Sequence, residues 1–387
     1  MTSKRILICL AAPWLLVWAQ PAGDPRAVMT EAMKLASAGR MASAEKMLAG
    51  LKQAYPKDPE IRYRLGVVLL RQRKLAEAES ELEVAAVLSP ATPLAWLGLA
   101  QARLQLGRRD RAIKAARNAA ARVNGQSSVS RALAIFYVQA KEPARAVEEF
   151  QNAIRLDPAG QASYADLASL FLDHRTPEPA VAVLETAVAR FPKHAEFQRL
   201  LGVARYGMGD TAKALDAFLQ VIELDPDSES TYVSIETLLP EAGSRLDLII
   251  EKIRAFSGRS PSSPVGHYLL ALALSIRSGG VATPEELLRK AIEVAPAFWP
   301  AHFELHRTLR ARDRFAEAVS ALEKTIELNP DHSPSQYALS QLYAQLGERE
   351  KSRRHRELHH QLLTREREAA HLRRKDLPQL PYSLVRP

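Results

Sequence analysis

Cysteine is all but missing from this chain: Cys9 is the only one in 387 residues. No intrachain disulfide can therefore brace the fold, and no cysteine-zinc cluster can form. Glycine is scarce at 17 residues, and aromatics make up only 6%. Runs of β-branched residues in strict alternation are absent, which argues against a sheet. No apolar stretch reaches the roughly twenty residues that a membrane-spanning helix needs. The G-x-S-x-G elbow, the P-loop and the H-E-x-x-H pair are also missing, so no nucleophile, phosphate or metalloprotease motif announces an enzyme. What remains is 47% apolar and 25% charged, the proportions of a folded soluble protein. Ala, Leu, Glu and Arg crowd the text, and all four favour helix.

The longest apolar run is Ile6–Ala19, fourteen residues behind the basic pair Lys4-Arg5. This reads as a secretory signal peptide over 1–19, with Val17-Trp18-Ala19 before the cut. An uncleaved anchor is the competing reading; Pro13 and the short length argue against it. A lipoprotein leader is excluded by the bulky Ile8 before Cys9. Cleavage would place the mature chain in a periplasm or outside the cell, with no thiol at all. The formal charge of +9 falls by two with Lys4 and Arg5. Much of the rest lies between Glu348 and Lys375, where ten Lys and Arg face five Asp and Glu.

One phrase recurs. "AIRLDP" ends at Pro158, "VIELDP" at Pro226 and "TIELNP" at Pro330. The first gap, 226 − 158 = 68, is twice thirty-four, and the second, 330 − 226 = 104, is three times thirty-four plus two. A period of thirty-four is that of a helix–turn–helix array. Units then start at Pro25, Pro59, Pro93, Ser127, Gln161, Ala195 and Glu229. After one unit two residues longer come Val265, Trp299 and Ser333. In this frame the seventh residue is leucine in most units, and the eighth is usually small: Gly66, Ala100, Ala134, Ala168, Gly202. The twentieth is alanine at Ala44, Ala78, Ala112, Ala146, Ala180, Ala214 and Ala318. The twenty-fourth is Leu or Phe, and the thirty-second is usually proline. Small residues at two fixed places let two helix backbones approach, and larger ones fill the seam. Proline then stops the second helix. Asp110, Asp210 and the box Thr283-Pro284-Glu285-Glu286 are the expected helix caps.

These residues resemble the tetratricopeptide repeat. Trp96 takes that family's aromatic place, Leu201-Gly202 its Leu-Gly place, Tyr137 and Tyr343 its tyrosine place, and Ala153, Ala187 and Ala291 its later alanine. The resemblance spans nearly the whole mature chain. It implies an all-α fold, an α-solenoid of about ten helix pairs wound as a right-handed superhelix and used as a binding scaffold. Units one to six cover 25–228, and three more begin within 265–347. A basic capping helix is expected at 348–376 and an extended tail, with Pro378 and Pro381 at PxxP spacing, at 377–387. The seventh unit, 229–264, departs from the pattern: Glu236 stands at the small place, Leu248 at the alanine, and Pro240 interrupts the first helix. "SGRSPSSP" (Ser257–Pro264) replaces a tidy turn, and a hinge is expected there.

The resemblance also implies that first helices line a concave groove, with their fifth and ninth residues turned inward. The groove candidates are Tyr63, Leu97, Gln101, Arg131, Ile135, Arg199, Val203, Leu269, Phe303, Arg307, Tyr337 and Gln341. Apolar anchors with interspersed arginines suit an extended peptide or helix. The competing reading is that these residues pack between neighbouring units. Family members that grip a terminal carboxylate use Lys and Asn on these faces; none of Asn118, Asn124, Asn152 and Asn329 falls in a first helix.

Three further patterns look chemical. "GMGDTA" (Gly207–Ala212) matches a dinucleotide loop, but that loop needs a strand before it. "HFELH" (His302–His306) sets two histidines one turn apart with Glu304 between, as metal sites do; packing of both rings is the plainer reading, as it is for His355 and His359. The basic C-terminal helix is either a solvated cap or a contact to an anionic surface. It has no aromatics, which argues against single-stranded nucleic acid. The expectation is an exported, non-catalytic adaptor or assembly factor without cofactor or metal that binds a protein or peptide. A surface tether is the alternative, and a metal-dependent enzyme at His302, Glu304 and His306 is the third reading.

Overall fold

The protein is described here by a computed structural model covering residues 24–279 and 285–375. The leader, Thr283-Pro284 of the expected capping box and the tail from residue 376 lie outside the described residues. Among the described residues there are twenty α-helices and no strand. They form two compact units, one up to Pro158 and one from Ala159.

The first unit holds four helix pairs: α1 (Pro25–Ser37) with α2 (Met41–Ala54), α3 (Pro59–Arg71) with α4 (Leu75–Leu88), α5 (Pro93–Gln105) with α6 (Arg109–Ala120), and α7 (Ser127–Gln139) with α8 (Pro143–Leu156). The second unit holds α9 (Gln161–Asp173), α10 (Pro177–Arg190), α11 (Ala195–Gly207), α12 (Thr211–Leu224), α13 (Glu229–Glu236) and α14 (Leu246–Arg259). It continues with α15 (Pro264–Arg277), α16 (Glu285–Val294), α17 (Trp299–Arg310), α18 (Phe315–Leu328), α19 (Ser333–Gln345) and α20 (Arg349–Lys375).

All first helices but α15, which begins one residue early at Pro264, start where the thirty-four-residue step puts them. Proline at the first helical position, with no N–H to leave unpaired, opens α1, α3 and α5. The Asp58 carboxylate accepts from the N–H groups of Glu60 and Ile61 at 2.8 and 3.1 Å. Asp210 caps α12 through the N–H of Lys213 at 3.2 Å, as its position implies. Asp110 is no cap: Arg108 occupies that place, and Asp110 lies in the first turn of α6.

The seam is built as the residue sizes demand. All seven alanines at the twentieth place are fully buried. A Cβ built on Gly66 would come within 2.5 Å of Leu82 Cγ, and one on Gly202 within 2.8 Å of the Phe218 ring. The eighth place of a first helix therefore meets the twenty-fourth of a second at van der Waals distance. In the last pair, Ser352 on α20 donates to the Ser340 carbonyl on α19 at 2.8 Å, so the same seam closes there through a hydrogen bond. That makes α20 the second helix of the tenth pair before it is anything else.

The turn inside each regular pair has its own rule. The fifteenth residue adopts a left-handed backbone in eight units: at Gly39, Gly107, Gly209 and Gly347, and also at Arg73, Lys141, Arg175 and Asp313. The next N–H then reaches back to the helix, as from Glu142 to the Tyr137 carbonyl at 2.8 Å.

The seventh unit differs in a specific way. Pro240 would clash with the carbonyl four residues back, at Glu236, and α13 ends there after 8 residues. Two 3₁₀ turns, Leu239–Glu241 and Gly243–Arg245, carry the chain on. Leu238, Leu239 and Ala242 stay buried, and the core of the second unit runs through them to Ile249, Ile250, Ile253 and Phe256. Leu248, expected at the alanine place, is 43% exposed. The turn after α14 is ordinary: Ser260 to Ser263 form it, and the Ser263 hydroxyl caps α15 at 3.2 Å. The irregularity thus lies within the unit, not in "SGRSPSSP".

Ala214→Leu forces a larger side chain into a filled seam. It is expected to cost about 1–3 kcal/mol, read as a lower urea midpoint at constant slope. Lys141→Gly relieves a left-handed lysine at an exposed turn and is expected to raise stability by about 0.5–1 kcal/mol in the same measurement.

Candidate functional site

In the first unit Tyr63, Leu97, Gln101 and Arg131 are half-buried, and Ile135 is exposed. The Tyr63 ring packs near Gly98 on the next first helix, and burial pushes its hydroxyl above the ordinary range. Gln101 donates to Gln139 Oε1 at 3.1 Å. In the second unit Arg199 is clasped by Glu196, one turn away on its own helix, at 2.6 and 2.7 Å. Val203 leans on the core.

Leu269 is a correction. It is fully buried and belongs to the core. Its unit begins one residue earlier than the step implies, at Pro264. Pro264 lies 264 − 229 = 35 residues after Glu229 and 299 − 264 = 35 before Trp299, so two successive units share the surplus residues. Leu269 then falls at the sixth place, and the fifth is Tyr268. Tyr268 donates its hydroxyl to Glu236 at 2.6 Å; burial first, and that carboxylate second, hold it protonated far above the ordinary tyrosine range. The proline-led start, with a serine cap before it, is the signal that sets the frame.

The four remaining candidates converge. Phe303 and Arg307 on α17, and Tyr337 and Gln341 on α19, line one open cavity of about 640 Å³. Fifth and ninth places lie one turn apart, so each helix offers two adjacent side chains to it. Arg310 adds a third from α17, and His306 and His359 (the latter from α20) complete the wall. The ninth unit's eighth place, usually small, is His306; the twelfth place and the tenth pair's second helix supply Arg310 and His359. None of these three stood on the fifth-and-ninth stripe.

The chemistry of the cavity is mixed. Tyr337 is 48% exposed, a large apolar ring left in water. Phe303 packs edge-on to His332 at 4.6 Å between ring centres, and the Arg307 guanidinium sits over it at 5.5 Å. Arg307 is paired with Glu304 at 3.2 Å. Burial raises the Glu304 carboxyl above its usual range, against the pull of Arg307. Arg310, by contrast, donates to the neutral Gln341 amide oxygen at 3.2 Å, and no carboxylate among the described residues pairs with it. A cation matched only by a neutral acceptor retains its attraction for an anion. His359 is held by Ser333, hydroxyl at 2.8 Å and carbonyl at 3.1 Å, and leans on the Tyr337 ring at 5.2 Å. The site can bury an apolar side chain on Tyr337 while Arg310 meets a carboxylate.

The "HFELH" pair does not converge. His302 Nε2 engages the Pro296 carbonyl at 3.0 Å and faces a different surface depression, beside Arg289 and Glu293. His306 Nδ1 meets the Phe303 carbonyl. His355 is bonded to Gln336 at 2.7 Å and stacks on Tyr343. The "GMGDTA" loop joins α11 to α12, so a helix precedes it where a dinucleotide loop needs a strand.

Comparison with known proteins agrees with the geometry. A family model described as tetratricopeptide repeat matches residues 29–95, 97–161, 165–229 and 303–353. Among solved structures, the chain is similar to the C-terminal part of a repeat-containing protein from Cytophaga hutchinsonii. That match has 18% identity and a TM-score of 0.46, and covers 70% of this chain and 97% of that one. It is similar to yeast Tom70 at 14% identity and TM-score 0.41, covering 89% and 96%. The third, pilF of Pseudomonas aeruginosa, matches at 19% identity and TM-score 0.42, covering 55% and 96%.

Burial holds the His306 ring neutral down to about 4, and burial lowers His332 and His355 too. An unfolded histidine takes its proton near 6.5, so between those values the unfolded chain binds more protons. The histidines' contribution to stability is therefore full above pH 6.5 and is lost as pH falls towards 4. His306 accounts for up to about 3 kcal/mol of that loss. Urea unfolding at pH 7 and pH 4.5 should show the drop, and His306→Leu should flatten it.

Proposed function

This chain belongs to the tetratricopeptide repeat family, and from that premise we propose that it is an exported, non-catalytic scaffold. It holds extended segments of other proteins on its first-helix faces, as an adaptor or assembly factor. The observation that carries the reading is the α17–α19–α20 cavity, where an exposed Tyr337 ring and an anion-seeking Arg310 stand side by side. Aromatic and arginine side chains contribute most of the binding energy where proteins meet. The preferred segment carries an apolar side chain next to an acidic one. Export rests on Lys4-Arg5 and the apolar run behind them. Among the described residues no helix is long and apolar enough to cross a membrane.

A second reading, a tether to an anionic surface, is favoured by one feature. α20 packs through Ser352, His355 and His359 and leaves Arg353, Arg356 and Arg365 facing outward. Deleting α20 would be a poor test, because it would strip the tenth pair of its partner helix. Charge reversal at Arg353 and Arg356 keeps the seam and removes the patch.

A peptide library selected on the wild-type protein tests the main reading. Selected peptides should be rich in apolar–acidic neighbours and bind the Tyr337→Ala/Arg310→Ala variant about tenfold or more weakly, a loss of about 1.4 kcal/mol or more. Equal affinity for both proteins would remove the pocket from the account. Arg353→Glu/Arg356→Glu should leave peptide binding intact, and should abolish salt-sensitive binding to anionic vesicles if the tether operates. N-terminal sequencing of the protein after secretion should begin at Gln20.

A further inference from the structure

The first unit carries a second charged site, on the side formed by its second helices and away from the first-helix stripe. α6 contributes Arg109, Asp110, Ile113, Lys114 and Arg117, α8 contributes Arg145, and Glu142 joins them from the N-cap of α8, around an open cavity of about 470 Å³. Along α6 these residues fall on one face, at alternating steps of one and three. Ile113 is nearly buried and forms the floor.

The arrangement is more than a solvated basic face. One carboxylate bridges two guanidiniums: Glu142 accepts from Arg109 at 2.6 Å on one oxygen and lies 3.4 Å from Arg145 on the other. Arg109 Nε also donates to the Ala140 carbonyl at 3.0 Å, tying the start of α6 to the turn between α7 and α8. The Arg145 guanidinium lies 5.9 Å over the Tyr137 ring. Both arginines are thus held in place before any ligand arrives. Lys114 and Arg117 are exposed and meet no carboxylate among the described residues. Four cations face two carboxylates, Glu142 already shared and Asp110, so 4 − 2 leaves an excess of two positive charges.

We propose that this cavity binds a doubly charged oxyanion of the phosphate-monoester type. Such a group carries between −1.5 and −2 at neutral pH, which matches the excess of two. Guanidinium forks pair two oxygens of a tetrahedral anion, and the lysine adds a mobile point charge. The cavity has room beyond the phosphate for the group that bears it. This site is independent of the peptide pocket, and either can fail without the other.

Calorimetric titration of the full secreted chain with inorganic phosphate and with glycerol 3-phosphate tests it. Both should bind, more weakly as salt rises and more tightly as pH rises past about 6, where the second phosphate proton leaves. Lys114→Ala/Arg117→Ala should weaken binding by about tenfold or more without changing the melting temperature, since both side chains are exposed and unpaired. An Arg190→Ala/Lys193→Ala control in the second unit should change nothing. Vesicles of phosphatidylcholine with phosphatidic acid distinguish the source. Binding to both soluble ester and vesicle, or to the vesicle alone, lost in the Lys114/Arg117 variant, supports the same chemistry. No binding in either arm, binding that survives the double variant, or acetate binding as tightly as phosphate would overturn it.

Discussion

Everything in this protein depends on how closely two helix backbones can approach. Within a pair, the eighth place of the first helix meets the twenty-fourth of the second. The glycine at Gly66 leaves only the room that Leu82 fills, and Gly202 only the room that Phe218 fills. The alanines at the twentieth place have no exposure at all. A seam packed to this density cannot accept a larger side chain without moving a helix. Each pair therefore has one depth and one phase, and the next pair inherits both. The thirty-four-residue period is the sequence record of that inheritance.

The same constraint makes the exceptions informative. Where a histidine occupies the eighth place, as His306 does, the ring is buried and kept neutral, and the cavity beside it opens towards α19 and α20. Where glutamate occupies it, as at Glu236, the pair cannot close in the usual way. α13 is cut to 8 residues by Pro240, and the carboxylate turns to the Tyr268 hydroxyl of the next unit instead. Both polar replacements lie in the second unit, and both remake contacts between neighbouring pairs. Neither loosens the core, which continues from Ala214 to Tyr343 through the irregular segment.

Most of the fold was legible because helix pairs write themselves periodically. Helix starts at Pro25, Pro59, Pro93, Trp299 and Ser333 follow from counting alone. The frame slipped by a single residue at Pro264, and that slip moved Leu269 from a surface stripe into the core. A helix turns by about 100° per residue, so an error of one is enough to change which face a residue is on. The left-handed fifteenth place was legible in principle but disguised, since Arg73, Lys141, Arg175 and Asp313 fill it as often as glycine. The α17–α19–α20 cavity was half legible. Phe303, Arg307, Tyr337 and Gln341 lie on the periodic stripe. Arg310 and His359 come from another place and another helix, and their meeting depends on packing that no period encodes.

If close approach fixes the seventh, eighth, twentieth and twenty-fourth places, function must be written on the residues that remain. Two kinds do remain: the first-helix stripe and the outward side of the second helices. On the stripe, an aromatic ring exposed beside an arginine with only a neutral partner is costly to keep in water and useful against a partner. On the second-helix side, α6 spends its free positions on Lys114 and Arg117, although like charges gathered on one helix face repel each other. Nothing in the seam needs either feature. Lys114 and Arg117 stand exposed, with no carboxylate bound to them among the described residues, next to arginines that one carboxylate already holds. That surplus is the ground on which the proposed anion site rests.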